Sequence, residues 1–92
     1  MHQYASVSTG ASMTVDVSRE AFSDYFVIRL ENGQSEELEP EEARQWFREH
    51  GANMDAVEKC LDHVYNFRQA VIVITDFRLP RYKLHAHAPK LD

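Results

Sequence analysis

In the C-terminal stretch RYKLHAHAPKLD every second residue from Arg81 to His87 is basic or a histidine. His85 and His87 stand two apart, and on a β-strand that spacing turns both imidazoles to one face, about 6.6 Å apart along the backbone. Such a pair can share a zinc-like ion if a third ligand arrives from elsewhere in the fold. By residue type, Cys60, Asp62 and His63 are the candidates. The chain contains no Cys-x-x-Cys and no His-Glu-x-x-His. The expectation is therefore no metal and no cofactor, with both histidines on the solvated side of a strand.

Nucleophilic chemistry has still less to work with. Cys60 and His63 are three apart and neighbours on a helix, but Cys60 falls on the apolar stripe, where a buried structural thiol is expected. Asp62 and His63 are adjacent on the same helix, so their side chains diverge by about 100°. Three glycines are scattered along the chain and form no phosphate-cradling loop. Trp46, Phe47, Tyr65 and Phe67 read as core or interface residues. No enzyme is expected.

The basic row has more to offer as a docking surface. Residues 1–76 hold 6 Lys/Arg and 14 Asp/Glu, a balance of −8, whereas residues 77–92 hold Arg78, Arg81, Lys83 and Lys90 against Asp92, a balance of +3. Arg78, Arg81, Lys83, His85, His87 and Lys90 are thus the candidate partner-binding residues. They would meet an acidic protein surface or the acidic body of a second copy. A linear basic stripe also neutralises phosphates, so nucleic acid is the second reading. No recognition-helix, aromatic RNA-binding or Gly-x-x-Gly signature accompanies it, and edge strands carry Lys and Arg merely to deter aggregation. The converse cluster, Glu36, Glu37, Glu39, Glu41 and Glu42, invites comparison with a phosphate mimic. Solvation and the helix dipole already account for those side chains.

The elements that must position these groups follow from periodicity. Residues 1–11 show none and read as a flexible leader ahead of a single domain over 12–92. MTVDV alternates as a half-buried strand. SREAFSD is either a helical turn capped by Ser18, with Ala21 and Phe22 inward, or a link between strands. In YFVIRLENGQSEEL, Phe26, Ile28 and Leu30 share one face. Asn32-Gly33 predicts a two-residue type I′ hairpin that sets Arg29 opposite Glu36.

LEPEEARQWFREHG predicts a helix with Pro40 in its first turn, a stripe of Ala43, Trp46 and Phe47, and Gly51 as its stop. Asn53 can cap a second helix over MDAVEKCLDHVYNFRQ, with Met54, Val57, Cys60, Leu61, Val64 and Phe67 inward. AVIVITDF lacks polar alternation for five residues and reads as a central strand covered on both faces. After Pro80, RYKLHAHA alternates again as a strand. The class is α+β: a small antiparallel or mixed sheet with a helix-turn-helix pair packed on one face.

At 92 residues, with 43% hydrophobic and 27% charged side chains, the composition is that of an ordinary globular domain. A single cysteine excludes an internal disulfide and suits a reducing cytoplasm. MHQYASVSTGASM has neither the cationic start nor the apolar run of a signal peptide, and AVIVI is too short to cross a membrane. A small cytoplasmic protein-interaction domain, regulator or adaptor, is the expected function, with homodimerisation as a further expectation.

Overall fold

The computed structural model describes residues 6–80. Its elements run β1 (Ser6–Ser8), β2 (Met13–Ser18), β3 (Phe26–Leu30), β4 (Ser35–Leu38), α1 (Pro40–Glu49), α2 (Met54–Phe67), β5 (Gln69–Ile74) and β6 (Arg78–Pro80). Four strands form an antiparallel sheet in the order β4-β3-β2-β5, and β1 pairs with β6 in a two-stranded ladder. Helix α2 packs on β5 and β2, and α1 on β3 and β4. The α+β class and the helix pair on one sheet face are as the periodicities predict.

Strand alternation decides which sheet face meets the helices. The register sets Val17 opposite Ile28 and Ala70, and Val15 opposite Leu30 and Ile72. These residues point inward together with Phe26 and Ile74. Against them α1 buries Ala43, Trp46 and Phe47, and α2 buries Val57, Cys60, Leu61 and Val64. The two helices are separately capped. Pro40 opens α1, and the Glu39 N–H donates to Glu42 Oε1 at 2.9 Å. Asn53 Oδ1 accepts from the Ala56 N–H at 3.1 Å and opens α2. Gly51 ends the first helical segment at φ +86°.

Three expectations are corrected. The Asn32-Gly33 hairpin has a three-residue loop: the Leu30 N–H donates to Gln34 O at 2.8 Å and the Gly33 N–H to Leu30 O at 3.0 Å. Only Gly33, at φ +93°, is left-handed there, as in a type I turn closed by a glycine bulge rather than a type I′ turn. The register therefore slips by one, placing Arg29 opposite Ser35 and Ile28 opposite Glu36. Arg29 instead faces Asp16 across β2, at 3.9 Å.

Of the two readings of SREAFSD the link between strands holds: the segment joins β2 to β3 with no helix. Ser18 closes β2, and Phe22 is fully exposed at φ 67°. Secondly, Phe67 is 69% exposed, because α2 ends at that residue with Arg68 left-handed at φ 75°. Thirdly, among the described strands β5 stands at an edge of the four-stranded sheet, with Ile72 and Ile74 buried and Val71 and Val73 exposed.

Residues 6–8, within the stretch that reads as an unpatterned leader, form β1. Its partner β6 extends the β2–β5 ribbon past the sheet. Met13 pairs with Ile74 and Ser8 with Arg78, so four residues on one side of the break face three on the other. The longer side is gathered by Asp76. Its Oδ1 accepts from Ser8 Oγ at 2.7 Å and from the Gly10 N–H at 3.3 Å. The Ser8 bond is the main cause that holds the Asp76 carboxyl below the usual carboxylate range, with the Gly10 N–H and the charge of Arg78 adding to it against desolvation.

The sign of the resulting pH dependence is fixed by that depression. A carboxylate whose folded-state pKa lies below its unfolded value stabilises the fold above the unfolded pKa. The contribution is lost as pH falls through the folded-state pKa. Asp76→Asn is expected to lower the urea midpoint at pH 7, and the gap from wild type should close in acid below the usual carboxylate range. Parallel midpoints of the two proteins across that range would contradict the assignment.

Candidate interaction surface

Of the six residues singled out in the basic row, Arg78 lies within the described residues. It opens β6, its N–H donates to His50 O at 3.0 Å, and its guanidinium stands 3.5 Å from Asp76 Oδ2. Arg81, Lys83, His85, His87 and Lys90 lie outside the described residues.

The residues considered as a third metal ligand are not brought together into a site. Cys60 is buried, and its thiol is pushed up to about 11 by burial first and by the charge of Asp16 second. Such a thiol is protonated at neutral pH and is neither a good nucleophile nor a ready ligand. Asp62 and His63 are exposed on α2, where the His63 ring lies 4.7 Å from that of Phe67. Among the described residues no three His, Cys, Asp or Glu side chains are placed to hold a metal ion.

Several members of the acidic cluster have structural partners. Trp46 Nε1–H donates to Glu36 Oε2 at 3.3 Å, Glu42 caps α1, and Glu41 pairs with Arg44 at 3.0 Å. Arg44 also reaches Glu58 on α2 at 2.7 Å, tying the two helices together outside the core.

His50 is a buried polar residue that periodicity does not single out. It occupies the C-cap of α1, stacks on Trp46 with ring centroids 4.0 Å apart, and donates Nδ1–H to Trp46 O at 2.7 Å. Its only sequence signal is its place four residues after Trp46 and just before Gly51. Trp46, His50 and Phe77, whose rings cluster, line a cleft of about 740 Å³ together with Ile28, Leu30, Asn32, Gln34 and Ser35. Its lining is part aromatic and part polar.

The surface least accounted for by the fold is the far side of the sheet. On β2 and β3 it carries Asp16 and Arg29, and Gln69 Nε2–H donates to Asp16 Oδ1. On β5 it carries Val71 and Val73, which are 56% and 52% exposed. Beyond them β5 pairs with no other described strand. The opposite edge, β4, has Glu36 and Glu37 along it, charges of the kind that keep sheet edges from pairing. β5 is six residues long, QAVIVI, with no charge and no proline. Among the described residues one edge carries guarding charges and the other does not.

No protein-family model matches the chain, and no curated protein or solved structure matches it. Among the described residues no helix is long and apolar enough to cross a membrane.

Proposed function

We propose that this chain is a small, non-enzymatic protein-interaction domain, a cytoplasmic regulator or adaptor that works by offering a sheet edge to another polypeptide. The observation that supports the reading is the contrast between the two edges: β4 carries glutamates, while β5 is neutral, β-branched and unpaired among the described residues. A strand of that composition left at an edge adds a further strand, with backbone hydrogen bonds giving affinity and alternate side chains giving selectivity. The second reading, nucleic-acid binding through Arg78, Arg81, Lys83 and Lys90, draws on the charge reversal between residues 1–76 and 77–92.

One pair of variants of the full chain separates the readings. Val71→Lys/Val73→Lys places charge on the β5 edge, and Arg81→Ala/Lys83→Ala removes it from the basic row. Under the interaction reading, association with protein falls in the first variant, and neither protein nor variant binds random-sequence DNA at physiological salt. DNA binding that falls steeply with salt, survives the β5 substitutions and is lost in Arg81→Ala/Lys83→Ala would overturn it.

A further inference from the structure

We propose that the β5 edge pairs with the β5 edge of a second copy, joining two four-stranded sheets into one eight-stranded antiparallel sheet about a two-fold axis. The inference rests on the interaction reading and names the partner.

Self-pairing is favoured by the strand itself. Gln69–Ile74 reads nearly the same in both directions about Ile72: Val71 meets Val73, and Ala70 meets Ile74. In an antiparallel pair, directly opposed residues point to the same face. Inward-facing Ile72 and Ile74 would therefore extend the core under the joined sheet, while the exposed Val71 and Val73 of both copies form one apolar row above it. The chain carries a net charge of −5, so two copies repel at long range. The edge they would share carries no charge of its own.

A second feature lies on the same side. Helix α2 packs chiefly on β5, and α1 lies over β3 and β4. Glu58, which bonds Arg44 of α1, marks the flank of α2 turned toward α1. By helical spacing the opposite flank carries Ala56, His63 and Phe67, so the 69% exposed Phe67 lies on the flank of α2 turned away from α1. In a two-fold dimer these flanks of the two α2 helices approach each other. Such an interface is isologous and closes, so it yields a dimer rather than a fibre.

The test uses two oppositely charged variants of the full chain, Val71→Lys/Val73→Lys and Val71→Glu/Val73→Glu. Both positions are half exposed in one copy, so each variant keeps its core. Light scattering over a concentration series is expected to give a dimer for wild type. Each variant alone should associate at least tenfold more weakly, and their equimolar mixture should recover the dimer. Added salt should leave the wild-type dimer unchanged or tighten it, since the body charges repel.

A second measurement needs no variant: amide exchange along β5 in wild type should slow as concentration rises. The inference is overturned by a wild type that stays monomeric, by charged variants that dimerise as wild type does, or by a mixture that stays monomeric. A dimer that dissociates with salt overturns it in favour of the basic row lying on the acidic body. If wild type is monomeric yet loses a protein partner on Val71→Lys/Val73→Lys, only the second copy is wrong. If no association depends on β5, the interaction reading falls with it.

Discussion

Leu61→Ala is expected to lower the unfolding free energy by roughly 2–5 kcal/mol, with a fall in Tm of about 10–30 °C for a domain of this size. Leu61 is 3% exposed and lies in the core with Val57 and Val64 of α2 and Val15 and Val17 of the sheet. Removing its branched end deletes apolar contact and leaves a cavity that the flanking β-branched residues cannot collapse into without leaving their rotamers. The neighbouring Asp62→Ala is the control. Asp62 is exposed on the other side of the helix, and its loss should cost well under about 0.5 kcal/mol. Urea titrations of the two variants check the helical phase directly. A larger loss in Asp62→Ala than in Leu61→Ala would mean that α2 presents a different face to the sheet.

Gly51→Val carries the second large effect, roughly 2–4 kcal/mol from left-handed strain and crowding together. Gly51 sits at φ +86° between the helices, and a Cβ built there would stand 3.0 Å from Asp76 O and 3.0 Å from the Cγ and Cδ of Arg78. The Arg78 side chain can swing aside. The Asp76 carbonyl belongs to the turn that leads from β5 to β6, so relieving that contact means moving backbone that the Asp76 side chain holds against Ser8 and Gly10. Gly33→Val is the informative contrast. Gly33 has a similar φ of +93°, but nothing lies within 4 Å of its Cβ position. It should cost only the strain, on the order of 1–2 kcal/mol. Equal midpoints for the two variants would show that the close approach of the β5–β6 turn to the end of α1 contributes nothing.

The local elements are legible in the residues for a physical reason. Pro40, Asn53 and Gly51 act through backbone groups within a few positions of themselves, and the 3.6-residue stripes of Ala43, Trp46, Phe47 and of Val57, Cys60, Leu61, Val64 need only one apolar surface to face. The same holds for the alternation of β2 and β3. The candidate interaction surface was far less legible. AVIVI suits a strand covered on both faces as well as one whose outer valines await a partner, because the composition of a strand does not record how many strands flank it. Asn32-Gly33 is compatible with two loop lengths, and only the backbone bonds that close the loop, with Arg29 opposite Ser35, show which register is adopted.

What the sequence alone determined is thus what is decided over one helical turn or one run of strand alternation: the class, the caps, most of the inward stripes and the neutrality of β5. The tertiary structure decided what depends on contacts between distant segments. It set β5 at an edge among the described strands, left Phe67 exposed at the end of α2, drew residues 6–8 into a ladder with residues 78–80, and stacked His50 on Trp46 beside Phe77. Burial and edge status are properties of the whole chain packing at once, since a side chain's exposure depends on which other elements reach it. No stretch of residues carries that information by itself.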